Sequence, residues 1–152
     1  MGPRCILSEL LPHRPPMILI DEIVSYDDAS VVAGVTVREA SLFREAQGVP
    51  AYVGIEYMAQ TCGAHVGALA RDRGEPARVG FLLGARQYRA HVAWFRLGER
   101  LVVSAKVIYH DDQMAAFDCR IEVAGLLAAE AQLNVYQPDA AELTALGRVG
   151  PP

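Results

Sequence analysis

The stretch that decides the fold is Gly48-Val-Pro-Ala-Tyr-Val-Gly-Ile-Glu-Tyr-Met-Ala-Gln60. It opens an apolar run that continues to residue 70, with Pro50 suited to the first turn of a helix and Gly74 to its exit. Small residues occupy every face of this run, so we predict a helix over residues 50–70 that is buried on all sides. Glu56 lies about two turns into that helix, where a carboxylate is costly unless it has a specific partner or role.

The same run could be taken for a membrane span, since about 20 apolar residues suffice to cross a bilayer. Glu56, Gln60 and His65 argue against that interpretation, because an ionisable group at the bilayer centre costs at least about 2.5 kcal/mol. We therefore expect the central helix of a soluble protein.

The composition indicates one acidic domain. The 152 residues carry a net charge of −4, which disfavours nucleic acid as a partner, and they suffice for one domain over residues 1–137 with a tail at 138–152. The three cysteines are widely spaced and match no metal-ligand pattern, so we expect reduced thiols and no metal site. The first residues lack a secretion signal, which predicts a cytoplasmic protein.

The rest of the chain has the composition of strands and turns. Two strand-like runs, 17–25 and 30–37, precede the helix, and four more, 78–88, 99–109, 114–124 and 126–136, follow it. This order predicts an α+β fold in which an antiparallel sheet wraps around one long central helix.

Two motifs in this order carry a resemblance to a known family. They are Leu11-Pro-His-Arg-Pro-Pro-Met-Ile-Leu-Ile-Asp-Glu-Ile23 and the stretch from Val49 to Gln60. Residues 8–137 resemble the hotdog-fold 3-hydroxyacyl-acyl-carrier-protein dehydratases of fatty acid synthesis, and most of all a branch associated with aryl polyene and related polyketide pathways. The resemblance implies a hotdog fold and a site that uses no organic cofactor.

The resemblance also implies a site shared between two subunits. In the family, a histidine from a loop works with an acid on the central helix of the neighbouring subunit, and Glu56 matches that acid. Ala51 matches a glycine whose backbone N–H faces the thioester carbonyl near the positive end of the helix. Leu42 stands where the family has its histidine, and residues 41–48 contain no histidine.

Dehydration requires a base, a hydrogen-bond donor to the thioester oxygen and an acid, so a substitute base is needed. We predict His91 as that base, with His13 as the second candidate; for both, the competing interpretation is a structural histidine. His110 falls in a predicted surface turn, and His65 lies nine residues beyond Glu56, so neither suits the role. Glu56 itself has a structural alternative, as a carboxylate bonded to an amide or an arginine.

Further residues complete the predicted site. Tyr52, Val53 and Tyr57 are expected to line an acyl tunnel, although residues of these types near a helix start are often ordinary core. Gln60, one turn beyond Glu56, is expected to support it by a hydrogen bond. Seven arginines between residues 71 and 100 form either a rim for an acidic carrier protein or a solvated face.

Three functions remain open from the sequence. The first is a dehydratase acting on 3-hydroxyacyl chains carried on the phosphopantetheine arm of acyl carrier protein, as a homodimer with its site at the subunit boundary. The second is a non-catalytic subunit that binds the same carrier or stabilises another hotdog subunit in a hetero-oligomer. The third is a hotdog thioesterase in which Glu56 activates water. One fold carries all three activities, so the fold alone does not rank them.

Overall fold

The structure is a computed structural model that describes Leu7 and residues 17–75, 81–111 and 113–136. His13, the proposed tail at 138–152 and the boundary at residue 137 lie outside these ranges. One long helix, α1, spans Gly54–Asp72 and is preceded by a 3-10 turn at Ala51–Val53. The strands are β1 Glu22–Tyr26, β2 Ser30–Thr36, β3 Val49–Pro50, β4 Phe81–Ala90, β5 Trp94–Phe95, β6 Arg100–His110, β7 Met114–Val123 and β8 Leu126–Tyr136.

The predicted α+β architecture is confirmed. Six strands form an antiparallel sheet in the order β1-β2-β6-β7-β8-β4, and α1 lies against one face of it. Alternate residues of β6, β7 and β8 point at the helix and form a continuous apolar core with its buried side chains. Within the described residues, β4 is the terminal strand on one side of this sheet.

The central α-helix begins four residues later than predicted, because Ala51–Val53 form a 3-10 turn, and it ends two residues later, at Asp72. Its exit is at Gly74, whose φ of 72° is a left-handed conformation that glycine adopts without strain. No residue from Val53 to Ala70 is fully exposed, as the small residues on every face predict. No helix in the described ranges is long and apolar enough to cross a membrane.

One side of the helix is less covered than the rest. Met58 and Cys62 are completely buried against the sheet. The less covered side is a half-buried stripe, which consists of Ile55, Glu56, Ala59, Gly63, Val66 and Leu69. The single chain therefore leaves a partly open, largely apolar stripe that contains the carboxylate Glu56.

Two local features differ from the sequence prediction. The strand predicted to begin at Met17 begins at Glu22 instead, because the backbone of residues 17–19 bonds to a side chain of α1 rather than to a neighbouring strand. A small second sheet, in which Val49 pairs with Phe95 and Pro50 with Trp94, was not predicted. This two-residue pairing fixes the chain at the point where the helix begins.

Candidate active site

Glu56 lies in the first turn of α1 and is held there by a neighbour one turn further on. Gln60 Nε2 donates a hydrogen bond to Glu56 Oε1 at 3.1 Å, and it also donates to the Met17 carbonyl oxygen at 2.7 Å. Gln60 Oε1 accepts from the Leu19 N–H at 2.7 Å. The Gln60 amide is 1% exposed and engaged at both ends, so within one chain it orients Glu56 and does not offer a free group to a substrate.

The start of the helix is fixed from two sides. The Ala51 N–H donates to the Ala93 carbonyl oxygen at 3.0 Å, and the Ala51 carbonyl oxygen accepts a short hydrogen bond from the Tyr88 hydroxyl. The resemblance implies that the Ala51 N–H donates to the thioester carbonyl of a substrate. In this structure that N–H is already bonded to Ala93, so it can bind a substrate only by sharing or breaking that hydrogen bond. Tyr88 was not anticipated from the sequence, where it is one apolar residue among several in a strand-like run.

The two residues after Ala51 point in different directions. The Tyr52 side chain is 70% exposed, whereas Val53 is buried in the core cluster beneath the helix start. Of these two predicted tunnel residues, only Tyr52 is accessible in the single chain. Val53 serves the packing of the domain in this structure.

The loop between β2 and β3 holds Leu42 in the position of the family's histidine. Leu42 is half-buried, and the next residue, Phe43, is half exposed with a left-handed φ of 68°. The loop is closed by a bridge between Glu45 and Gly48, whose N–H and carbonyl groups bond in both directions at 2.7 and 3.1 Å. It is an ordered loop that carries no titratable base at the position where the family has one.

His91 lies on the other side of the sheet from Glu56. Its Nε2 donates to Glu130 Oε2 at 2.9 Å, and this bond lowers the pKa of Glu130 below its usual value. Glu130 alternates along β8 with Ala129 and Ala131, both buried against the core, so Glu130 points to the outer face of the sheet. Within one chain the structure does not bring the predicted base His91 together with the helix acid.

The other described histidines also lie away from Glu56. His65 is 1% exposed, and its Nε2 donates to the Asp27 carbonyl oxygen at 2.7 Å in the turn between β1 and β2. Burial lowers the pKa of His65, and its ring packs edge-on against Phe117. His110 was predicted in a turn but is the last residue of β6, where it is exposed. His65 is therefore a structural histidine near the far end of the helix.

The arginines that crowd together in the sequence separate in space. Arg73 pairs with Glu75 at 3.2 Å beyond the end of α1, while Arg100 contacts Glu22 across β2 on the opposite part of the fold. Arg86 and Arg89 lie on the edge strand β4. The described residues contain no group of three or more His, Cys, Asp or Glu side chains placed to hold a metal ion.

One long helix packed against a six-stranded antiparallel sheet, with an acid near the start of that helix, defines a protein of the hotdog class. Residues 5–146 match the family described as ApeP-like, ApeP dehydratase, so the chain belongs to the ApeP-like dehydratase family. The dehydratase heterocomplex ApeI:P from Xenorhabdus doucetiae contains a similar chain, with 31% identity, a TM-score of 0.86, and coverage of 92% of this chain and 95% of that one. The predicted family and hotdog fold are confirmed.

Two further relatives are dehydratases, and a more distant solved structure shares only the fold. The 3-hydroxyacyl-[acyl-carrier-protein] dehydratase FabZ of Brucella melitensis is 34% identical over 134 residues, covering 84% of this chain and 83% of the relative. FabZ of Agrobacterium fabrum is 34% identical over 137 residues, with 84% of each protein covered. A thioesterase-like protein from Streptococcus pneumoniae is 18% identical with a TM-score of 0.62, over 77% of this chain and 84% of that one, which shows a shared fold and no more.

Proposed function

We propose that this chain is one half of a composite dehydratase. In this account Glu56 and the start of α1 act on 3-hydroxyacyl thioesters carried by acyl carrier protein, and the base is a loop histidine of a different hotdog subunit. The observation that carries the proposal is the pairing of a supported helix acid, Glu56, with an ordered loop that has Leu42 in place of the histidine. The chain keeps one partner of the family's catalytic pair and lacks the other.

The surface around Glu56 supports a second subunit at this point. The half-buried stripe on α1 is apolar apart from the carboxylate, and such a stripe suits burial against another protein surface. The similar chain from Xenorhabdus doucetiae comes from a heterocomplex of dehydratase subunits. In a heterodimer of this kind, one site joins Glu56 to the partner's histidine, and the second site joins the partner's acid to Leu42. We expect only the first site to be active.

The proposed chemistry assigns one task to each group. The partner's histidine removes the α-proton of the 3-hydroxyacyl thioester, and backbone N–H groups at the helix start stabilise the charge that develops on the thioester oxygen. Glu56 donates a proton to the leaving hydroxyl, the Cβ–O bond breaks, and water departs as the α,β double bond forms. Gln60 holds Glu56 in the orientation for that proton transfer. The proposed reaction uses neither a metal nor an organic cofactor, and we propose that it takes place in the cytoplasm.

Two alternative functions are also supported by some of these observations. A non-catalytic stabilising subunit is favoured by the engagement of the Ala51 N–H with Ala93, which leaves the implied donor occupied. A homodimeric enzyme requires its own base, for which His13 is the remaining candidate because the His91 ring points to the outer face of the sheet. The composite site differs from both in requiring Glu56 and a second, histidine-bearing chain at the same time.

The test is dehydration with and without the second subunit. A 3-hydroxyacyl-carrier protein is mixed with this chain alone, with a histidine-bearing hotdog dehydratase subunit that co-purifies with it, or with both, and the acyl mass is followed for loss of water. The composite account predicts rapid loss of water in the mixture, little from this chain alone, and loss of the mixed activity in Glu56→Gln. Full mixed activity in Glu56→Gln supports the stabilising role instead. Activity of the chain alone supports the homodimeric enzyme.

A further inference from the structure

A β-bulge in the edge strand β4 aims one tyrosine at the start of the helix. Arg86 pairs with Gln132 and Arg89 with Glu130, so three steps along β4 match only two along β8. The extra residue is accommodated at Gln87, whose φ of 55° is left-handed and therefore strained for a residue with a side chain. The bulge keeps both arginines on the outer face of the sheet and turns Tyr88 towards the helix.

The Tyr88 side chain ends at the backbone of Ala51. Its hydroxyl donates to the Ala51 carbonyl oxygen, while the Ala51 N–H donates to Ala93 on the adjoining segment. Burial raises the pKa of Tyr88 to about 12, so the hydroxyl keeps its proton at physiological pH and remains a donor. Residue 51, which the resemblance places beside the thioester, is thus held by one bond on each side.

Gly54 provides the space for this hydroxyl. A Cβ atom at residue 54 would lie 2.4 Å from the Tyr88 Oη and 3.1 Å from the Ile121 Cδ1. The first distance is far below van der Waals contact, so any larger residue at 54 displaces the tyrosine hydroxyl from Ala51. The contact between the Tyr88 hydroxyl and Ala51 therefore depends on both the strained bulge at Gln87 and the absence of a side chain at Gly54.

We propose that Tyr88 is a positioning residue for the reaction at Glu56. Its hydroxyl fixes the peptide at Ala51, and the rigid helix that starts there sets the position of Glu56 five residues on. A phenylalanine would fill the same apolar space, so packing alone does not require the hydroxyl. Because Tyr88 belongs to the edge strand, the contact also ties the helix start to the border of the sheet. The inference rests on the proposed dehydratase function of this site.

The experiment compares Tyr88→Phe, Gly54→Ala and the double variant, each assembled with the histidine-bearing subunit, in dehydration of a 3-hydroxyacyl-carrier protein. Tyr88→Phe is expected to lower kcat about threefold to tenfold, the range for one lost hydrogen bond, with KM changed less than about twofold. Gly54→Ala should show at least the same loss. The double variant should lose less than the two single losses combined, because removing the hydroxyl relieves its clash with the new Cβ, although the close contact of that Cβ with Ile121 remains. Tyr109→Phe, which removes an exposed hydroxyl bonded to Asp111, is the matched control and should match wild type.

A wild-type kcat in Tyr88→Phe overturns the inference, as does a double variant whose losses simply add. Failure of the proposed function would be a separate result, because in that case no assembly, the wild type included, would dehydrate the substrate. In that event amide hydrogen exchange decides the positioning claim. Exchange of the amides at residues 53 and 54 should accelerate about threefold to tenfold in Tyr88→Phe and not in Tyr109→Phe. Unchanged exchange in Tyr88→Phe overturns the claim.

Discussion

The side-chain amide of Gln60 joins the carboxylate of Glu56 to the backbone of residues 17–19. One Nε2 hydrogen reaches Glu56 Oε1 at 3.1 Å and the other reaches the Met17 carbonyl oxygen at 2.7 Å, while Oε1 accepts from the Leu19 N–H. A single buried side chain therefore orients the candidate acid and also holds the segment that precedes the first strand against the helix.

Replacing Gln60 should cost stability as well as orientation. Gln60→Met keeps nearly the same volume but leaves the Leu19 N–H and the Met17 carbonyl without their partner, which should lower the free energy of unfolding by about 1–3 kcal/mol. Urea denaturation measures the loss. The same change at the exposed Gln132 is the control and should stay within about 0.5 kcal/mol of wild type. Equal effects at both positions would show that the buried amide makes no special contribution.

Restoring the missing histidine should create a site within copies of this chain. Leu42→His places imidazole at the family's position on an ordered loop, so a homodimer of the variant would hold both members of the pair. We expect slow dehydration of a 3-hydroxyacyl-carrier protein by Leu42→His alone, and none by the double variant Leu42→His, Glu56→Gln. Activity that persists in the double variant would contradict the role of Glu56 as the acid.

The helix and most strands could be predicted from the sequence because their signals are local. The small residues around Glu56 allow close backbone approach on every side, and the alternation in β6 to β8 marks one covered face. The early start predicted for β1 was wrong because residues 17–21 have strand-like composition, yet the backbone of Met17 and Leu19 bonds to the Gln60 side chain, 41 residues away in the case of Leu19. A local sequence pattern cannot predict a hydrogen bond between residues so far apart in the chain.

The contacts around the candidate site could be predicted where they depend on spacing along one helix, and not where they depend on the geometry of the sheet. Glu56 and its support by Gln60 follow from their spacing on one helix face. The direction of the His91 ring depends on which face of β8 carries Glu130, and the inward turn of Tyr88 depends on a bulge at Gln87. The bulge has no signature in the sequence, and although alternation along β8 indicates the outer face for Glu130, its contact with His91 depends on how β4 is aligned with β8.

The buried histidine should make stability depend on pH. Burial lowers the pKa of His65 in the folded state, whereas the unfolded chain binds the proton near the usual value of about 6.5. As the pH falls below about 6.5, the unfolded state gains a proton that the folded state does not, so stability is lost on acidification. We expect the free energy of unfolding to fall less between pH 7.5 and 5.5 in His65→Gln than in wild type. A wild-type slope in His65→Gln would refute the assignment.

His91 should be dispensable for dehydration. Its ring binds an exposed carboxylate on the outer face, so His91→Ala is expected to keep turnover within about twofold of wild type, as for other exposed pairs. The same change removes the hydrogen bond that lowers the pKa of Glu130, and this pKa should rise towards its ordinary value. Steady-state kinetics and an NMR titration of the Glu130 carboxyl measure the two effects. A collapse of turnover would instead identify His91 as the base.

The central claim is that the active site is shared unequally between two different subunits. The measurement that tests it most directly is dehydration by the mixed assembly, in which Glu56→Gln in this chain is compared with the equivalent acid-to-amide change in the histidine-bearing partner. The account predicts that Glu56→Gln abolishes loss of water from the 3-hydroxyacyl-carrier protein, while the partner's change leaves most of the activity. The opposite pattern, with Glu56→Gln active and the partner's variant inactive, would contradict it.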